Sequence, residues 1–163
     1  MADLLTHVLA AYVLATLLSF RYEWLTPQLV TVVMLGAVVP DLAKISLVVS
    51  SSQVESLFGV PFDWFAIHMF GGTLVAITIG ALLTSREHRR RVFLLLALGA
   101  ASHHLLDALL INASGYSYAI FWPLTTYHPP TPNLYLSFDR WPALVSGIAA
   151  AIVWYLRSHW FEK

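Results

Sequence analysis

The sequence predicts an all-α fold, a polytopic membrane bundle of about five helices. Three observations carry that reading. Hydrophobic residues fill 58% of the 163 positions and charged residues 11%, against ~45–50% and ~25% in soluble domains. The apolar residues fall in runs of near-bilayer length, separated by shorter polar or basic stretches. His7, Asp41, His68, His103, His104 and Asp107 lie inside those runs, and polar groups at membrane depth are costly enough to face a partner, a cavity or a site.

The length suits one integral membrane domain spanning 1–163. A net charge of zero gives no reason to expect nucleic acid binding. The chain has no cysteine, which excludes disulfides, thiolate metal sites and a cysteine nucleophile, so any metal must be held by His and carboxylate. No Lys or Arg precedes the first apolar run. That is a poor signal-peptide start, and the run is expected to remain as a helix.

The elements follow in order. The first helix is expected over 4–20 and carries His7. The second, 27–49, opens on Pro27, a good first helical residue, and contains Pro40-Asp41, where a kink or break is expected. Residues 50–59 are polar and read as a loop. The third helix, 62–84, has His68 near its start, followed by Gly71-Gly72. A basic turn holds Arg86, Arg89, Arg90 and Arg91. The fourth helix, 92–111, carries His103, His104 and Asp107. A long connection, 112–140, is rich in proline and aromatic residues. It suits an aromatic belt at headgroup level, a lid over a site, or both. The fifth helix is expected over 141–155.

Basic short loops stay cytoplasmic, which puts the turn at 85–91 inside, the N-terminus outside and the C-terminus in the cytoplasm. At ~1.5 Å rise per residue, His7, Asp41, His68, His103 and Asp107 then lie ~5, ~12, ~9, ~12 and ~6 Å from the outer ends of their helices. All five share the outer half of the membrane. Each alone has a bland alternative: a hydrogen-bonded core histidine, an aspartate satisfying donors freed by Pro40, an i,i+4 pair between His103 and Asp107. Asp63, Asp139 and His128 lie at helix edges or in the connection and suit caps or solvated positions as well as site roles. His88 and His159 fall on the inner side.

Imidazole and carboxylate without thiolate suit Zn²⁺, with Mn²⁺ or Fe as other candidates. Asp41, His68, His103 and Asp107 could hold one or two ions. Two ions ~3.5–4 Å apart would suit phosphoester hydrolysis. No Gly-rich phosphate loop and no G-x-S-x-G nucleophile elbow occurs.

Four segments carry a resemblance: Thr6-His7-Val8-Leu9-Ala10-Ala11-Tyr12, Gly36-Ala37-Val38-Val39-Pro40-Asp41, Ser102-His103-His104-Leu105-Leu106-Asp107 and Phe121-Trp122-Pro123-Leu124. In order and spacing, over nearly the whole chain, they resemble the YdjM family of membrane-bound metal-dependent hydrolases, itself distantly similar to zinc-dependent phospholipase C and P1-type nucleases. The resemblance implies phosphoester chemistry and marks His7, Asp41, His68, His103 and Asp107 as metal ligands. The third motif departs from the pattern. Asp63-Trp64-Phe65-Ala66-Ile67-His68-Met69 stands where H-R-G-x-T-H-S is usual, so Asp63 replaces a histidine, and Ala43 stands where a second acid often follows Asp41.

The expected function is thus a membrane-embedded metal-dependent hydrolase. It would act among membrane lipids on a phosphoester or lipid-linked substrate, with His104 or Asp63 moving a proton. The alternative is a non-enzymatic membrane protein: a transporter or permease, or a structural protein with a degenerate metal site. The inner halves of the helices are almost bare of polar groups, which argues against a continuous polar path.

Overall fold

The structure is a computed structural model and describes residues 3–160. The described residues form α-helices and one 3-10 segment, with no named strand. Helices α1 (Leu4–Arg21), α2 (Pro27–Val38), α3 (Ser51–Phe58), α4 (Phe65–His68), α5 (Phe70–Leu82), α6 (Arg89–Ala108) and α7 (Trp141–Trp160) follow in order, the 3-10 segment Val39–Leu47 continuing α2.

The burial pattern inverts that of a soluble bundle. Along α1 the buried residues are Thr6, His7, Ala11, Ala15, Thr16 and Ser19, while Leu4, Leu5 and Leu17 face outward. Helix α7 likewise exposes Leu144, Val145, Ile148, Ile152 and Leu156. Small and polar residues inside with large apolar residues outside is the arrangement that lipid favours, because close backbone approach rather than water drives the packing. Leu4–Arg21 and Pro27–Leu47 are long and apolar enough to cross a membrane, and only 33% and 39% of their apolar windows are buried. A core helix of a soluble protein would be mostly buried instead.

Helices α2 and α6 form the centre, α1 packs on α2 and α7, and α5 lies against α6. Two glycines set the central contact. A Cβ on Gly99 would fall on the Val33 carbonyl oxygen, and one on Gly36 on the Leu96 carbonyl oxygen. Only hydrogen fits at either place, so the two backbones touch.

The structure changes several expected boundaries. The third helix, expected unbroken over 62–84, is interrupted at Met69, which is extended (φ −88°, ψ 160°) between α4 and α5. The cause lies far away in sequence. The free N–H groups at the start of α5 are taken by the connection, Phe70 donating to the Ile120 carbonyl (2.8 Å) and Gly71 to that of Trp122 (2.9 Å). Glycine at 72 lets α5 fold back so closely that a Cβ there would meet the Ala66 carbonyl. Residues 50–59, expected as a loop, form α3. Ser50 and Gln53 make a reciprocal capping box and Gly59 ends the helix at φ 68°, the left-handed conformation glycine adopts freely. Helix α6 runs three residues earlier than the expected 92–111, and α7 extends beyond the expected end at 155. Charged residues limit where an apolar run begins, but Arg and Lys are good helix formers and do not stop a helix. The break expected near Pro40 is present: α2 passes into the 3-10 segment at Val39.

The connection folds back over the end of α6. Ile111 donates to the Tyr135 carbonyl (2.7 Å), Leu134 to that of Leu109 (2.9 Å) and Ser117 to that of Pro129 (2.7 Å). The Tyr135 hydroxyl donates to the Leu106 carbonyl (2.7 Å), pairing one of the orphan acceptors of a helix end. Its aromatics divide by position. Tyr116, Phe121, Trp122, Tyr127 and Phe138 are exposed, whereas Tyr135 is buried and Tyr118 turns inward toward His68, ring centroids 5.0 Å apart.

Candidate metal centre

Helix α6 presents His103 and Asp107 on one stripe, since residues four apart nearly eclipse. The same stripe buries Leu95, Leu96, Gly99 and Ala100 a turn or two earlier. The contact at Gly99 therefore fixes how far His103 reaches into α2. Its Nδ1 donates to the Ala37 carbonyl at 2.8 Å. That carbonyl is available because Val39 N–H already bonds Gly36 O; the next 3-10 partner is the nitrogen of Pro40, which carries no hydrogen. Pro40 also supplies its own carbonyl, which accepts from His68 Nδ1 at 3.2 Å. His68 arrives there because α4 ends at the Met69 break. His7 comes from the first turn of α1, its ring stacked on that of His103 at 3.7 Å.

The three imidazoles converge on one carboxylate. His68 Nε2 lies 2.9 Å and His103 Nε2 3.5 Å from Asp107 Oδ2, and His7 Nε2 lies 3.4 Å from Asp107 Oδ1. His7, His68 and His103 are fully buried, and Asp41 and Asp107 nearly so. Asp41 stands beside them, its Oδ2 held by Lys44 Nζ at 2.7 Å.

These contacts are incomplete as hydrogen bonds. With Nδ1–H of His68 and His103 spent on carbonyls, each neutral ring turns an Nε2 lone pair toward a carboxylate, which has only lone pairs of its own. Both ring nitrogens of His7, Nε2 of His103 and Oδ1 of Asp41 have no hydrogen-bond partner among the described residues. Buried polar atoms are rarely left so. A cation would engage the Nε2 atoms of His7 and His103 and Oδ1 of Asp41. Ligands ~2.0–2.2 Å from a tetrahedral ion stand roughly 3.3–3.6 Å from each other; the His7–Asp107 and His103–Asp107 separations of 3.4 and 3.5 Å fall in that range, and His68–Asp107 at 2.9 Å is a hydrogen-bond distance. The groups His7–His103–Asp107 and Asp41–His68–His103 could each hold a metal ion. The carbonyl bonds at Nδ1 are also what orients a metal-ligating histidine.

His104 is held apart from this cluster by a directed chain. Thr73 Oγ1 donates to the Ile67 carbonyl (2.8 Å) and so must accept from His104 Nε2 (3.3 Å). His104 Nδ1 is then an acceptor for the Tyr118 hydroxyl at 3.1 Å. Burial, with the nearby charges of Asp107 and Asp41, pushes the Tyr118 phenol well above its ordinary range, so it remains a donor. Tyr118, Phe65, His68 and Asp107 line a cavity of about 330 Å³ whose polar rim includes Asn112, Ser117, Thr131 and Ser137.

The remaining candidates stand elsewhere. Asp63 is exposed, its Oδ1 accepting from Phe65 N–H at 2.9 Å, and takes no part in the cluster. His128 Nδ1 donates to the Ser117 carbonyl (2.8 Å), and Asp139 accepts from Leu136 N–H (2.8 Å). Two residues that sequence reasoning passed over matter here. Lys44 was visible as an i,i+3 partner of Asp41. Tyr118 carried no local signal, because only the fold of the connection brings it to His104.

Fold and site together define a helical protein of the membrane with a buried His/Asp centre able to hold a metal ion. The YdjM inner membrane protein family matches residues 1–162, and the chain belongs to that family. No curated protein and no solved structure matches it.

Proposed function

We propose that the protein is a membrane-embedded metal-dependent hydrolase acting on a phosphoester or other lipid-linked substrate at the outer leaflet. The observation that carries this reading is the convergence of three buried imidazole Nε2 atoms on Asp107, those of His7 and His103 without a hydrogen-bond partner among the described residues. The donor set of nitrogen and oxygen suits Zn²⁺ best, with Mn²⁺ or Fe as alternatives. When bound, a divalent ion supplies Lewis acidity toward a phosphoryl oxygen and hydroxide at a pH near ~7.

The residues of the chain divide the remaining work. His7, His68, His103 and Asp107 would hold the ion, and the carbonyls of Ala37 and Pro40 orient two of the rings. The connection covers the cavity and limits water, while its hydroxyl and amide rim offers hydrogen bonds to a headgroup. A volume of about 330 Å³ fits a headgroup rather than a whole lipid, leaving acyl chains in the bilayer. The proton-shuttle role falls to His104, whose Nδ1 accepts from the Tyr118 hydroxyl at the cavity wall; Asp63 stands outside the cluster, its Oδ1 accepting from Phe65 N–H.

The chain crosses the membrane about five times in this reading, as one integral domain with the N-terminus outside and the C-terminus cytoplasmic. Basic side chains gather at the end away from His7. Arg91 lies 5.1 Å from the Trp24 ring centroid and Arg157 donates to the Leu25 carbonyl at 3.3 Å, the placement expected of a cytoplasmic face.

Elemental analysis of detergent-purified protein, with a hydrolysis screen against glycerophospholipids, tests the proposal. The wild-type chain should carry metal and release product, and Asp107→Ala should lose both. Full metal content in Asp107→Ala would sink the assignment. Metal without turnover on any ester would leave a metal-binding membrane protein of another kind.

A further inference from the structure

The centre offers ligands for two ions, yet its charge fits one. We propose that it takes a single divalent ion, and that the Lys44 ammonium on Asp41 occupies the place of a second cation. This rests on the metal-dependent reading above.

The first observation is the shared histidine. His103 belongs to both groups that could hold a metal, but its Nδ1 is committed to the Ala37 carbonyl at 2.8 Å. Only Nε2 remains, and an imidazole nitrogen has one lone pair to give. An ion on His7, His103 and Asp107 would leave Asp41 and His68 for a second, and the reverse choice would leave His7 and Asp107. Asp107 can supply the missing ligand by bridging, its Oδ1 beside His7 and its Oδ2 beside His68, so ligand supply admits a second ion and charge decides the number.

The second observation is charge. Among the described residues, the charged groups in the ion pairs of the cluster are Asp41 and Lys44 on the 3-10 segment and Asp107 on α6, with His7 from α1 and His68 from α4. The His104 ring is neutral by its hydrogen bonds. Two carboxylates and one ammonium leave a single negative charge. One divalent ion turns that into a single positive charge, which a hydroxide or a phosphate oxyanion neutralises. Two ions would leave three positive charges in a buried site, and burying uncompensated charge is costly. Lys44 Nζ sits on Asp41 Oδ2 at 2.7 Å, its side chain 37% exposed and its charged end paired with the buried carboxylate.

Metal content per chain and the electron paramagnetic resonance of the Mn²⁺-loaded protein test this without reference to activity. The expected result is one ion per wild-type chain and the hyperfine pattern of an isolated Mn²⁺. Two ions, or a spin-coupled spectrum, would overturn the proposal and leave the hydrolase reading intact, whereas no metal at all would remove both. Lys44→Met should admit a second ion at saturating Mn²⁺, and Lys44→Arg, which keeps the charge, should stay at one. Lys44→Met protein that elutes as the wild type does and still binds one ion would refute the role given to Lys44.

Discussion

The two halves of α6 use one stripe of side chains for opposite ends. Toward its start, Leu95, Leu96, Gly99 and Ala100 are buried in packing, Gly99 and the Leu96 backbone directly against α2. Further along, His103 and Asp107 occupy the same stripe, and His103 Nε2 has no hydrogen-bond partner among the described residues. The packing half is dense and apolar, whereas the chemical half is polar, fully buried and incomplete. Neither half stands alone, because the backbone contact at Gly99 sets the distance at which His103 meets the Ala37 carbonyl.

The largest expected effect comes from disturbing the packing half and reading the chemical half. Gly99→Ala places a methyl on the Val33 carbonyl and Ala37 nitrogen. Backbone cannot yield as a side chain can, so the helices must separate. We expect a loss of about 1–3 kcal/mol of stability, as for overpacked cores. We also expect at least a roughly tenfold loss of metal affinity, the lower bound for removing a partner that orients a ligand. Gly80→Ala is the control, because its methyl meets only the Leu96 Cδ1 at 3.2 Å, a flexible tip. Thermal melts and metal titration of both variants would break the comparison if Gly99→Ala bound metal as the wild type does.

A smaller effect separates holding the ion from moving a proton. Tyr118→Phe keeps the ring beside His68 but removes the hydroxyl that donates to His104 Nδ1. Metal content should be unchanged and kcat should fall roughly tenfold, below the ~10²–10⁴-fold of a whole acid–base group, with KM little altered. The Tyr118 phenol is held above its ordinary range by burial, so the wild-type rate should show no alkaline limb from this group at pH ~10, where a free tyrosine ionises. Equal loss of metal and rate would make Tyr118 structural.

The chemical half was the more legible of the two in the sequence. His103 and Asp107 announce themselves as i,i+4 groups in an apolar run, and Pro40 announces the break that frees the Ala37 carbonyl. The resemblance to the YdjM family holds over residues 1–162. The break at Met69 was not legible, because its causes, the Ile120 and Trp122 carbonyls, lie about fifty residues away along the chain. Helix α3 was legible in principle: Ser50 and Gln53 stand at capping-box spacing, but polar composition suggested a loop. The span count rests on apolar length, and α6 shows why length misleads. Its helix starts on three arginines and ends on the site, so the helical and the apolar boundaries differ.

The smallest effect lies where the connection meets the end of α6. Tyr135 is buried with its hydroxyl donating to the Leu106 carbonyl, and burial, helped by the charge of Asp107, pushes its phenol up to about 12. The unfolded chain would release this proton at pH ~10. A group that keeps its proton more tightly when folded contributes fully below the unfolded value and loses that contribution as pH rises from there to the folded one. Thermal stability in detergent should therefore hold up to pH ~10 and decline between there and about 12. In Tyr135→Phe this decline should be shallower. The variant should also be less stable at neutral pH by about 0.5–1.5 kcal/mol, the net value of one hydrogen bond, with metal content untouched. A loss of metal in Tyr135→Phe would mean that the lid and the centre are one cooperative unit, and that the line between packing and chemistry falls beyond α6.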